Sequence, residues 1–184
     1  MPIGGESGDL QSTWVGIGVT GSEKYPIVQA GEQSAIGKTP YVWTETLPDN
    51  PVTDTGVPIA AGQTLYVHVA FDYNGTAGFH IINETTGVSN APTAQTFSGM
   101  LPDGHAEIVT EDPDGTHYLA DFKDIKFSTA EAASTQTGWK DISALPYYTE
   151  TMYDCRGDEM ANPESLSGAS FTNLWDSRGF VPGS

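Results

Sequence analysis

The chain has 184 residues, a length that suits one domain and allows a substantial core. Its 24 Asp and Glu against 7 Lys and Arg give a formal net charge of -17, which repels nucleic acid and anionic membranes and removes both as expected partners. No apolar run approaches the ~20 residues of a membrane span, and the single cysteine, Cys155, excludes an intrachain disulfide.

The N-terminal stretch MPIGGESGDLQ has no basic region and no apolar segment, so it reads as a flexible lead-in and not as a signal peptide. From there the dominant periodicity is two. Strands are predicted over 13-TWVGIGV-19, 25-YPIVQA-30 and 40-PYVWTET-46. The next is 63-QTLYVHVAF-71, where Leu65, Val67, Val69 and Phe71 point one way and Tyr66, His68 and Ala70 the other. Further strands are predicted over 77-AGFHIIN-83, 105-HAEIVTE-111, 117-HYLADFKDIKF-127, 147-YYTETMY-153 and 169-ASFTNLW-175. Turn clusters such as 84-ETTG-87, 102-PDG-104 and 113-PDG-115 separate them. The stretches 47–62 and 130–138 read as loops, and the only helical signal is a turn near 159-EMANPESL-166. Many short strands at short spacing predict an all-β, antiparallel β-sandwich or barrel in one domain spanning residues 1–184.

Most chemical motifs are absent. There is no GxSxG, no phosphate loop and no GxGxxG followed by a helix, so serine-triad and nucleotide chemistry lack support. His68, His80, His105 and His117 are scattered, with no pair at i,i+4 and no HExxH, so no metal site and no cofactor are expected. The runs 102-PDG-104 and 111-EDPDG-115 lack the order of a calcium loop and read as turns. Arg156-Gly157-Asp158 is too short to identify a cell-adhesion site, and Cys155 reads as an incidental thiol. Asn74 and Asn83 open glycosylation sequons, which weakly favour a secretory route.

What remains is polar and aromatic residues on strand faces. Tyr41, Trp43 and Glu45 share one face of a predicted strand. Glu107, Val109 and Glu111 share the acidic face of another, opposite Ala106, Ile108 and Thr110. An acidic strand face is either an ordinary solvated surface or the floor of a cleft. Aromatics beside carboxylates fit a substrate groove, and half-buried aromatics also cap cores.

The order of segments resembles that of the glutamic peptidases, or eqolisins, a family of acid endopeptidases. The segment 13-TWVGIG-18 resembles the family's TWVGIDG, 28-VQAG-31 its LQTG, and 43-WTETLPD-49 its WYEWYPE. Then 83-NETTG-87 resembles NLTTG, followed by 97-FSG-99, and 106-AEIVTED-112 resembles AEWIVED. The stretch 120-ADFKDIKFSTA-130 resembles the next strand of the family, and 166-LSGASFTNLW-175 its last. The resemblance implies a sandwich of two bent antiparallel sheets, concanavalin A-like, with peptide or protein as substrate. The catalytic Gln then falls on Gln29 and the catalytic Glu on Glu111. Trp14, Trp43 and Glu45 fall on cleft residues, and Tyr41 and Glu107 border the same groove.

In that chemistry a carboxylate takes a proton from water and later passes it to the leaving nitrogen, while a side-chain amide donates to the developing oxyanion. A secreted protein working in acid fits the acidic composition, so an extracellular location is expected.

The chain departs from the family pattern in four places. Only eleven residues precede Ser12, and nothing there matches the family's first two strands, which are expected to be missing. Gly18 stands where the family usually has Asp, Thr44, Thr46 and Leu47 thin the aromatics of WYEWYP, and 131–164 matches loosely. Three other readings follow from the same residues. One is a non-catalytic carbohydrate-binding sandwich that stacks sugars on Trp14, Tyr41 and Trp43. Another is a structural domain, and the third is a glycosidase working with two carboxylates.

Overall fold

The computed structural model describes residues 5–18, 26–72, 74–98, 104–113 and 117–181, and antiparallel strands dominate it. The chain divides into two compact units, Ser12–Thr110 and Met1–Gln11 with Glu111–Ser184.

In the first unit, strand alternation builds a sandwich. One sheet takes the order β4-β3-β2-β1-β9 from β1 (Leu10–Gly18), β2 (Ile27–Ala35), β3 (Tyr41–Leu47), β4 (Asn50–Asp54) and β9 (His105–Glu111). The other is formed by β5 (Leu65–Asp72), β6 (Thr76–Asn83), β7 (Val88–Ser89) and β8 (Thr93–Thr96), with β6 paired to β5, β7 and β8. Each sheet turns one side chain in two toward the space between them. Val28, Ala30 and Val42 from the first sheet meet Ala77, Phe79 and Ile81 from the second, with Val57 and Phe97 completing the buried core. Ile17, Leu65, Val67, Val69 and Phe71 pack against it, the last four being the predicted inward face of 63–71. Burying a Val, Ile or Phe side chain contributes roughly 1.5–3 kcal/mol, so this layer supplies most of the drive for the sandwich.

The second unit holds a sheet of order β10-β15-β14-β13, built from β10 (Asp124–Phe127), β13 (Met152–Tyr153), β14 (Glu159–Pro163) and β15 (Phe171–Trp175). A separate hairpin joins β11 (Glu131–Ser134) to β12 (Gly138–Asp141). Its core is Leu119, Phe122, Met160 and Ala161, with Ile125, Met152 and Trp175 against it. The segment before β1 is tied into this unit. Arg178 Nη2 donates to both carboxylate oxygens of the buried Asp9, at 2.8 and 2.9 Å, and its guanidinium lies 4.0 Å over the Tyr118 ring. Leu10 pairs in parallel with Leu119 beside this contact.

Several predicted elements take a different form. The 47–62 loop contains β4, which is mostly exposed and carries Pro51; a solvated edge strand needs no apolar alternation, so it gives no periodic signal. The 130–138 loop contains one strand of the exposed β11–β12 hairpin and its turn, for the same reason. The long strand predicted over 117–127 is regular only from Asp124. Lys123 holds φ at +56°, a conformation that interrupts an extended chain of L-residues. Leu119, Ala120 and Phe122 are nonetheless buried. The strand expected at 147–153 shortens to Met152–Tyr153, and the helical turn expected near 159–166 is instead β14. The one helical turn described is a 3-10 turn at Ile142–Ala144. Parts of the predicted strands at Val19 and Tyr25, of the FSG segment at Gly99, and of the turns at 102–104 and 113–115 lie outside the described residues.

Two surface motifs acquire structural roles. Asn83 is fully buried; its Nδ2 donates to Pro58 O and Gln63 Oε1 and its Oδ1 accepts from Thr85 and Thr86 N–H, so this sequon is closed to glycosylation in the folded chain. Arg156 and Asp158 are paired with each other at 3.3 Å, and Arg156 also lies 4.2 Å over the Phe180 ring. The Arg-Gly-Asp triplet is therefore folded on itself. Among the described residues no helix is long and apolar enough to cross a membrane.

Asp49, in the turn after β3, accepts from the backbone N–H of Ser98 at 2.5 Å and from its hydroxyl at 2.9 Å. These two bonds hold its carboxyl below the ordinary 3.8. A depressed carboxyl adds stability that is present above the unfolded value and is lost as pH falls through the folded one. The tether therefore persists into acid. Asp49→Ala should lower the thermal midpoint at pH 6, and the gap to the parent should close only as pH is taken below 3.8. A thermal unfolding series from pH 6 to pH ~2 measures this, and a gap independent of pH would refute it.

Candidate active site

The site is built on the face of the first sheet that points away from the sandwich core. In β2, Val28 and Ala30 point inward, so Gln29, Gly31 and Gln33 point outward. The register of β3 sets Glu45 opposite Gln29, Trp43 opposite Gly31 and Tyr41 opposite Gln33. Directly opposed residues of an antiparallel pair share a face. The four residues expected from these two strands, Gln29, Tyr41, Trp43 and Glu45, are thus one continuous surface.

Trp14 joins it from β1. A side chain at Gly16 would lie 3.0 Å from Trp14 Cζ3 and 3.1 Å from Gln29 Cβ, and one at Gly31 would lie 2.6 Å from Trp14 Cα and Cβ. The two glycines clear the space the indole fills beside Gln29. Trp14 is buried, 7% exposed, and so is Trp43 at 4%. Neither presents an open ring face for sugar stacking; both form floor.

The amide of Gln29 is held in one orientation. Its Nε2 donates to Glu45 Oε2 at 2.5 Å. A carboxylate oxygen accepts, so the NH2 end faces Glu45. The other end, Gln29 Oε1, is buried and has no hydrogen-bond partner, and Trp43 Nε1 is in the same condition. A buried polar atom without a partner costs ~1–3 kcal/mol. Here an acceptor and a donor that the chain itself leaves unpartnered stand on neighbouring positions of one face. The Tyr41 hydroxyl is pushed above its ordinary pKa, first by burial and then by the negative charges of Asp54 and Glu45, so it stays a neutral donor.

Glu107, on β9, reaches the same surface from the far side of β1. Its Oε1 would lie 3.1 Å from a side-chain carbon at Gly18. The missing side chain at position 18 is the space the Glu107 carboxylate uses. Glu111 is the last residue of β9 and by alternation points to the side of Glu107 and Val109; it also begins the second compact unit.

Sequence reasoning missed Asp54, which pairs with Trp43 across the β3–β4 ladder and acts on Tyr41, because its strand read as loop. It also missed the work of Gly16 and Gly31. The available signal was an isolated glycine inside a strand pattern, which marks a close approach.

Comparisons with known proteins identify the family of this β-sandwich. The profile described as the Peptidase A4 family matches residues 1–172. The chain belongs to that family, the eqolisins, and is a glutamic endopeptidase, a hydrolase acting on peptides or proteins. No curated protein sequence matches it.

Among solved structures, aspergilloglutamic peptidase from Aspergillus niger superposes with a TM-score of 0.74 at 24% identity, covering 91% of this chain and 99% of that one. Scytalido-glutamic peptidase with a transition state analog inhibitor gives 0.74 at 18%, covering 95% and 87%. SCP-B, described as an eqolisin in complex with the tripeptide Ala-Ile-His, gives 0.72 at 17%, again covering 95% and 87%. At these identities the structures establish the shared β-sandwich fold.

The clearance at Gly31 is testable. A methyl there would lie 2.1 Å from Thr13 O, so backbone must move. Gly31→Ala should cost about 3 kcal/mol or more, at or above the top of the usual overpacking range. Gly78→Ala, where the nearest atom is 4.0 Å away, should stay within about 1 kcal/mol of the parent. Urea unfolding of both reads the difference; equal stabilities would contradict the packing described.

Proposed function

We propose that Gln29 and Glu111 are the catalytic pair of this peptidase. Glu111 takes a proton from the attacking water as the water oxygen bonds to the peptide carbon. It then returns that proton to the leaving nitrogen as the C–N bond breaks. Gln29 Oε1 accepts from the water, and the second N–H of Nε2 donates to the carbonyl oxygen as it becomes an oxyanion. The single observation that carries this reading is the buried, unpartnered Gln29 Oε1 beside an Nε2 already fixed by Glu45. An acceptor that the chain itself leaves unpartnered is available to a hydrogen-bond donor from outside the chain, such as a water.

Glu45 then orients the amide, Tyr41 supplies a neutral hydroxyl, and Trp14 and Trp43 line the substrate groove. Glu107 brings a carboxylate to the place where eqolisins usually carry the acid of position 18. The enzyme is proposed to be secreted and to work in acid, where a surface of net charge -17 is largely discharged, since ordinary carboxylates titrate near pH ~4.

Hydrolysis of a denatured protein at pH ~3.5 is the assay. Glu111→Gln should lower kcat by about 10³-fold or more and Gln29→Ala by about 10²–10³-fold, with circular dichroism unchanged. Full activity in either variant would overturn the assignment. Glu45→Ala frees the Gln29 amide without removing it, so kcat should fall about tenfold while KM moves little. A fall in kcat as deep as that of Gln29→Ala would instead place Glu45 in direct contact with the reacting atoms.

A further inference from the structure

The second sheet carries a pair of histidines on the face opposite its core. In β5 the inward residues are Leu65, Val67, Val69 and Phe71, and in β6 they are Ala77, Phe79 and Ile81. Tyr66, His68 and Ala70 therefore face outward with Gly78, His80 and Ile82. The register sets His68 directly opposite His80. Directly opposed side chains in an antiparallel pair start about 4.5–5.5 Å apart at Cβ. Two imidazoles at that spacing can direct one nitrogen each toward a common point above the sheet.

The pair is flanked by small residues on one side and by an aromatic ring on the other. Toward the Ala70–Gly78 pair the sheet carries only small residues, and a carbon added at Gly78 would meet nothing nearer than Ala70 Cβ at 4.0 Å. Toward Tyr66 and Ile82 the His80 ring is braced edge-on by the Tyr66 ring, with centroids 6.0 Å apart. Both histidines are half-buried, so their rings are partly confined yet accessible. Neutral imidazole is a ligand for borderline transition metals, and a pair of them leaves the remaining coordination positions to water. Among the described residues no three His, Cys, Asp or Glu side chains come together to hold a metal, so a site here draws at most two such donors from them.

The geometry points to a cross-strand bis-histidine site, His68 with His80, that takes a divalent transition-metal ion of the copper or zinc class. The site lies on the sheet that carries none of the catalytic residues named above, so it is independent of the peptidase chemistry. Bound metal would bridge β5 to β6 outside the main-chain ladder and brace β5, which ends its sheet. A ligand bound only by the folded chain raises its unfolding midpoint by mass action.

The test uses the full chain at pH 7.5, where ordinary imidazoles are neutral, titrated with CuCl2 and separately with ZnCl2. Expected is one copper site, bound more tightly than zinc as the divalent series requires, with a raised thermal midpoint that EDTA reverses. His68→Gln and His80→Gln should each weaken copper binding by at least about tenfold, and His105→Gln should not change it. Electron paramagnetic resonance of the copper-loaded parent should show two nitrogen donors, a readout that does not depend on how well the variants fold. Unaltered binding in both variants, a spectrum with oxygen donors only, or no copper bound by the parent at millimolar metal would each overturn the assignment.

Discussion

The register of β2 against β3 is the constraint on which the rest of the molecule depends. In that ladder Val28 and Ala30 face the core while Gln29 and Gly31 face the opposite way, and Val42 and Thr44 alternate with Trp43 and Glu45. A slip of one residue would bury the Gln29 amide among Phe79 and Ile81 and expose Val28 to water. The apolar cost of that exchange fixes the register. The fixed register in turn sets the amide opposite the carboxylate that orients it. Site and core are thus two faces of one pairing, and the burial that folds the sheet also aims its functional groups.

A second constraint is steric. Trp14 lies beside Gln29 only because Gly16 and Gly31 carry no side chain, and Glu107 reaches over β1 only because Gly18 carries none. Three bare positions on neighbouring strands convert a sheet face into a surface with buried polar atoms, an arrangement a uniformly substituted sheet would fill. Gln29 Oε1 and Trp43 Nε1 are two such atoms, buried on that face and without a partner in the chain.

Two local environments shift the titration of their groups. Two bonds from Ser98 lower the Asp49 carboxyl, so its tether survives pH values at which carboxyls without such bonds have gained protons. Tyr41 sits among carboxylates and is kept neutral, so it adds no further negative charge to the face it shares with Glu45. The Asp9–Arg178 pair anchors the segment before β1 within its own unit, and the stacking of Arg178 on Tyr118 adds packing to the charge contact.

By itself the sequence determined the class, the strands with buried faces and the family, because each of these rests on local order: period-2 alternation, turn residues and short motifs in series. Strand 105–111 and the inward face of 63–71 follow from alternation alone. What alternation does not mark, the sequence left silent. β4 and the β11–β12 hairpin are solvated and need no apolar rhythm, and the positive φ at Lys123 breaks a run that reads as one strand. Only the tertiary structure decided which distant residues meet. His68 and His80 stand twelve positions apart and look unrelated by spacing, yet the β5–β6 register makes them neighbours. Asp54 and Trp43, or Gly31 and Trp14, are joined in the same way. Pairing across strands is set by how whole faces are buried, and that is a property of the folded sheets and not of any short stretch of chain.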